Sequence, residues 1–251
     1  MGAVLLSAPR LTPGVQVQDE DLSDADWADA DVSDGVFVGC AVTGAAFSNA
    51  VLQGAHFQRC RLIRCRFPHA DLREAVFEDC VFSERQQGPV FAFARLDEAR
   101  FARCDLTHAR FEGADLYAAV MDACNLMGAA FPRASFTRAF GRSVVRAAAT
   151  LTDCNFELAD LSAIRLPGCD LSRSRFRETD LSRADLEGAQ MVGADLFAAI
   201  VDEARLAGAD LRGAEVSGLD LRRLASYQDL KINPDQQYRL LEALGIDVQP
   251  E

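Results

Sequence analysis

Eight cysteines, three histidines and a long series of aspartates are the residues of this chain with chemistry to offer, and their spacing decides which chemistry that is. Thiolates that hold structural zinc come as C-x-x-C pairs, and secreted chains use cysteines as disulfides. Cys40, Cys60, Cys65, Cys80, Cys104, Cys124, Cys154 and Cys169 contain no such pair, and Cys40, Cys60 and Cys80 are twenty residues apart. Each stands where alanine is the usual occupant, so the expected state is a free, reduced, inward thiol acting as a small apolar side chain. His56, His69 and His108 are scattered. No nucleophile, base and orienting group accompany one another, and there is no glycine-rich phosphate loop. The expectation is a binding protein without catalytic residues, cofactor or metal.

The element that positions these residues follows from a period of five. In "ADLEGAQMVGADLFAA", residues 184–199, a large apolar residue recurs every fifth place, which is neither the period of a half-buried strand nor that of a helix. The centres run from Leu22 and Trp27 to Phe82, resume one register away from Phe91 to Phe136, and run again from Leu151 to Leu221. Two residues before most centres sits a small residue. In extended backbone residues two apart face the same side, so each short extended piece sends one small and one large group inward before a turn. Self-similarity of this kind marks a repeat architecture.

The sequence resembles the pentapeptide-repeat family, whose A(D/N)LXX pattern appears as "ADLEG", "ADLFA", "ADLRG" and "CDLSR". The resemblance implies an all-β fold, a right-handed quadrilateral β-helix (a pentapeptide-repeat solenoid) with four repeats per coil, and it covers roughly residues 15–221. With that geometry Cys40, Cys60 and Cys80 stack in one column, joined by Cys104 and Cys124 if the break after Phe82 consumes one side of a coil. About ten coils at a spacing of ~4.8 Å make a rod of roughly 50 Å.

Asp160, Asp170, Asp180, Asp185, Asp195, Asp210 and Asp220 each stand immediately before a centre and therefore point outward. They are read as an acidic face. The formal net charge is -12, distributed as -7 over residues 1–58, +3 over 59–146 and -8 over 147–251. That balance argues against phosphate-driven binding of nucleic acid. The start carries no basic leader, and no stretch approaches the roughly eighteen apolar residues of a membrane span, so a cytoplasmic location is expected.

Two segments interrupt the beat. "SERQQGPV", residues 83–90, fits no repeat and carries Gly88 and Pro89, so a projecting loop is expected. "AFGRSVVRAAAT", residues 139–150, keeps the count but puts Gly141 and Arg146 where large apolar residues belong, which reads as a second loop or a distorted coil. Interruptions at these ordinal places resemble the Qnr group, pentapeptide-repeat proteins that protect DNA gyrase and topoisomerase IV from quinolones. The resemblance implies that Ser83, Glu84, Arg85, Gln86, Gln87 and Gly88, with Phe140, Gly141, Arg142 and Arg146, contact the topoisomerase. It also implies action as a DNA-shaped competitor or as a wedge. The alternative is a repeat scaffold that binds another protein partner.

After Leu221 the fives stop. "NPDQQYRLLEALGIDV" reads as a short helix with Asn233 as N-cap, Pro234 in the first position and Gly245 past the end. The expected organisation is a lead-in at 1–14, the interrupted solenoid at 15–221 and a capping helix within 222–251. Relatives join end to end here, so Tyr238, Leu240, Leu241, Leu244, Ile246 and Val248 are expected to form a homodimer interface.

Overall fold

The computed structural model describes residues 11–141 and 144–249. Arg142 of the second predicted loop and most of the predicted lead-in lie outside the described residues. The period of five becomes a stack of parallel coils, and one unit shows why. In Val51–Ala55 the N–H of Val51 donates to Ala30 of the coil before at 2.8 Å, while those of Leu52 and Gly54 donate to Asp71 and Arg73 of the coil after at 2.7 and 2.9 Å. The Ala55 N–H closes the turn on the Leu52 carbonyl at 3.0 Å. Leu52 and Ala55 are fully buried.

The residue two past most centres turns the corner in a left-handed conformation, as in His69 (φ 57°) and Arg183 (φ 59°). That geometry costs about 1 kcal/mol or more in a residue with a Cβ. An inter-coil hydrogen bond offsets it: His69 N–H to Ala92 at 2.9 Å, Arg183 N–H to Asp202 at 2.7 Å. Many units place glycine at this position, a signal within the pattern that the spacing of large residues alone does not reveal.

Pairing at twenty-residue intervals defines four faces. Face one carries the parallel sheet of strands Gln16–Gln18, Val36–Val38, His56–Gln58, Val76–Glu78, Arg100–Ala102, Ala119–Asp122 and Ala149–Thr152, continued by bridges through Asp170, Gln190 and Asp210. Face two runs through Arg61, Val81, Asp105, Asn125, Asn155, Arg175 and Asp195; face three through Arg66, Val90, Arg110, Ala130, Asp160, Asp180 and Ile200; face four through Asp71, Arg95, Asp115 and Ser135, then Arg165, Asp185 and Arg205.

The core is a set of ladders. Phe37, Phe57, Phe77 and Phe101 stack on face one with ring centroids 4.7, 5.0 and 4.9 Å apart, and Phe47, Phe67, Phe91, Phe111 and Phe131 do the same on face three at 4.5–4.9 Å. Offset aromatic stacking adds to area burial. Beyond residue 150 leucine takes over most of these columns.

Both interruptions differ in extent from the sequence expectation. Val90 is back on face three, bridged to Arg66 and Arg110, so the first loop ends at Pro89. The coil there spans twenty-four residues, an insertion of four that shifts the register of the centres by one. The second interruption is a hairpin, not a distorted coil. Thr137–Phe140 pairs antiparallel with Val144–Ala147, and Ala149–Thr152 already lies on face one beside Ala119–Asp122. That coil spans thirty residues. An insertion of ten leaves a count of five undisturbed, which is why the sequence kept its beat.

Coil pairing outlasts the last predicted repeat, through Ser226 and Lys231. The end is then closed by a 3-10 turn at Pro234–Gln236 and the helix Gln237–Ala243. Buried Gln236 donates from Nε2 to the carbonyls of Leu211 and Ala214, both at 2.7 Å, giving open-ended acceptors of the final coil a partner.

Candidate protein-binding surface

The first loop leaves the corner between faces two and three. Glu84 and Gln87 exchange backbone hydrogen bonds at 3.2 and 3.0 Å, and Arg85 and Gln86 are both left-handed (φ 51° and 63°), the geometry of a tight two-residue hairpin. Arg85, Gln86 and Gln87 are exposed; Ser83, Glu84 and Gly88 are half-buried. Gly88 lies so close to the next coil that a Cβ would stand 2.4 Å from the His108 carbonyl carbon. The tip therefore rises from a tightly seated base.

The second loop leaves the diagonally opposite corner, between faces four and one. Its root is fixed by Arg138, whose guanidinium reaches Asp97 at 3.2 Å and Asp115 at 4.0 Å and lies 4.3 Å from the centre of the Tyr117 ring. Phe140, two residues along the same strand, packs on Tyr117 with ring centroids 6.0 Å apart. Asp97 is buried, and among the described residues its second oxygen has no hydrogen-bond partner, so Arg138 is its chief compensation. Phe140, Gly141, Val145 and Arg146 are exposed. The sequence reading found Phe140, Gly141 and Arg146 but missed Arg138, Tyr117 and Asp97. Tyr117 and Asp97 each directly follow a face-four centre, a position whose neighbours become visible only once coils of twenty are laid over one another.

The seven aspartates do not form one face. Asp170 and Asp210 lie on face one, Asp195 on face two, Asp160 and Asp180 on face three, and Asp185 on face four, while Asp220 stands at the last turn. Each carboxylate first accepts from the backbone N–H two residues on, at 2.8–3.5 Å, as in Ser182 to Asp180 and Ser162 to Asp160. This is an Asx turn, and it explains the residue type locally. Arginine then neutralises several: Arg177 on Asp195 at 2.5 Å, Arg212 on Asp210 at 2.7 Å, Arg222 on Asp220 at 2.8 Å, with Asp185 between Arg165 and Arg205 at 3.8 and 3.9 Å. Only Asp160 is exposed, and Asp210 is buried.

At the C-terminal end Leu240 is buried against its own coil and is not a free interface residue. Tyr238 and Ile246 are exposed; Leu241, Leu244 and Val248 are half-buried. Arg239 ties the helix to Glu215, whose carboxyl that arginine and Ser217 hold down at about 2.

All eight cysteines are free and buried. Cys40, Cys60, Cys80, Cys104, Cys124 and Cys154 form one column, each thiol donating to a carbonyl of the coil before at 3.3–3.6 Å, and Ser174 continues it to Leu151 at 2.7 Å. Burial pushes the Cys65 thiol up to about 12 and that of Cys169 up to about 11, away from thiolate chemistry. Among the described residues no group of three or more His, Cys, Asp or Glu could hold a metal ion, and no helix is long and apolar enough to cross a membrane.

Residues 43–79, 90–122, 154–191 and 189–223, together more than half of the chain, match the model of the pentapeptide repeats in eight copies. The chain belongs to the pentapeptide-repeat family. No curated protein matches it in sequence. Among solved structures this pentapeptide-repeat protein is similar to full-length QnrB1, a plasmid-mediated fluoroquinolone resistance protein, with a TM-score of 0.67 and 24% identity over 94% of this chain and 99% of that one. A trypsin-treated variant of QnrB1 gives a TM-score of 0.69 at 24% identity over 95% of this chain and 99% of that one. At this identity the likeness is one of fold.

Proposed function

We propose that this pentapeptide-repeat protein is a rod that binds DNA gyrase or topoisomerase IV and protects it from quinolones, with its two loops making the decisive contacts. The observation that carries the reading is the pair of insertions, a small tight one at 83–89 and a larger hairpin at 137–147, on a rod that superposes on QnrB1 over nearly its whole length. The division of the aspartates among four faces favours a wedge built from loops over a continuous imitation of duplex charge. Two copies join through their C-terminal ends, with Tyr238 and Ile246 as the exposed apolar contacts.

A supercoiling assay with purified gyrase, titrated with the protein with and without ciprofloxacin, tests this reading. Restored supercoiling in the presence of the drug is expected, and deletion of residues 138–147, which returns the coil to twenty, abolishes it while the far-UV spectrum is kept. No effect on gyrase at micromolar protein leaves the scaffold for another partner as the function. Sedimentation of wild type against Tyr238→Glu and Ile246→Asp tests the dimer.

A further inference from the structure

The segment "RCRLIRCRF", residues 59–67, turns Cys60, Leu62, Cys65 and Phe67 into the core and leaves Arg59, Arg61, Arg64 and Arg66 exposed on one coil. Arg64 sits at the corner between faces two and three, with Arg61 and Arg66 on either side, and Arg85 is carried at the tip of the loop rising from that corner one coil further on. Most arginines elsewhere on the rod have a carboxylate in reach, as Arg73, Arg103, Arg133 and Arg212 do; Arg100, Arg175 and Arg183 stand singly. In the column Arg165, Asp185, Arg205 the charges alternate from coil to coil, and Arg173 meets Asp153 at 2.6 Å. Here the column neighbours are apolar: Ala41 and Val81 flank Arg61, and Ala46 and Val90 flank Arg66. Among the described residues Arg64, Arg66 and Arg85 form no ion pair, and Arg61 reaches Glu84 only at 3.8 Å with both side chains largely in water. Like charges gathered around one corner repel one another, and Glu84 is the one carboxylate within ion-pair reach of them among the described residues.

We propose that Arg61, Arg64, Arg66 and Arg85 form a docking site for a carboxylate-rich segment of a protein partner. Guanidinium forks match carboxylates in a bidentate way, and the alanines and valines between them accept the apolar stems of such a segment. A nucleic acid fits less well. The second coil before the site carries eight carboxylates at residues 19–34, and residues 11–58 hold no arginine or lysine, so a duplex extending past the patch meets a wall of its own charge. The site rests on the partner being a protein and does not require a topoisomerase.

Fluorescence anisotropy of a labelled peptide of alternating Glu and Ala, titrated with the full-length protein at low salt, tests the site. Saturable binding that weakens with added NaCl is expected. The triple variant Arg64→Gln, Arg66→Gln, Arg85→Gln is expected to bind about tenfold or more weakly. Its thermal midpoint does not fall, because repulsion is relieved, and Lys at the same three positions recovers part of the affinity. Equal affinity of the Gln variant and wild type overturns the proposal, as does tighter binding of a short duplex DNA than of the peptide. A gyrase assay without effect, alongside intact peptide binding, removes the topoisomerase reading and leaves this site standing.

Discussion

The two halves of the rod solve the same folding problem in different ways. From residue 149 to 231 every coil is close to twenty residues long, leucine fills most inward columns, and arginines such as Arg165, Arg173, Arg177 and Arg205 meet carboxylates. From 15 to 136 phenylalanine stacks on two faces and cysteine fills one corner column, a loop interrupts this half and a hairpin ends it, and Arg64, Arg66 and Arg85 gather without an ion pair although Arg73, Arg103 and Arg133 meet carboxylates. Regularity in a repeat protein is nearest-neighbour stability, and departures from it cost stability. The half that carries the departures also carries the larger, stacked side chains. On the function proposed above, the C-terminal half is the scaffold and the N-terminal half with its hairpin makes the recognition contacts.

The sharpest way to break this contrast is to truncate one buried centre in each half. Phe101→Ala removes a ring stacked on Phe77 and is expected to destabilise by about 4 kcal/mol, against about 3 for Leu186→Ala, read as urea unfolding free energies. Equal losses would mean that ring stacking adds nothing. A second pair compares glycines. Gly88→Ala forces a Cβ against the His108 backbone and should cost about 2 kcal/mol. Gly188→Ala, left-handed but facing open space, should cost about 1, measured by the same unfolding curves.

Next comes the hairpin root. Arg138→Ala leaves Asp97 buried without its cation and is expected to cost about 1.5 kcal/mol. More diagnostic is faster tryptic cleavage after Arg146, while core amides keep their hydrogen-exchange protection. The smallest effect concerns the cap. Glu215 has a carboxyl held below its ordinary value, so its contribution is complete above about pH 4.5 and is lost as pH falls through about 2. Amide exchange in Gln237–Ala243 should rise over that window, and Glu215→Gln should flatten the response.

Much of this was legible in the sequence. The inward centres and small residues, the stacked thiols and the capped helix follow from one rule of alternation and a turn. Three things were hidden, for different reasons. The hairpin at 137–147 escaped definition because it adds ten residues to its coil, a multiple of the repeat, so arithmetic that exposed the four-residue loop passed over it. The aspartates were misjudged because the period that decides shared faces is the coil, not the unit: Asp160 and Asp180 are neighbours, whereas Asp185 is round the corner from both. Gln236 escaped because its task, bonding two carbonyls of the last coil, belongs to an end that a repeating pattern does not describe.

The ten-residue excursion between Phe136 and Ala149 has a bearing on how such rods diversify. Because it departs from and returns to the stack without altering the phase of anything downstream, this corner is a neutral port. Peptides of that length can be exchanged here, or removed, while the coils on either side keep their partners, so new binding specificities can be tried at one address without renegotiating the architecture.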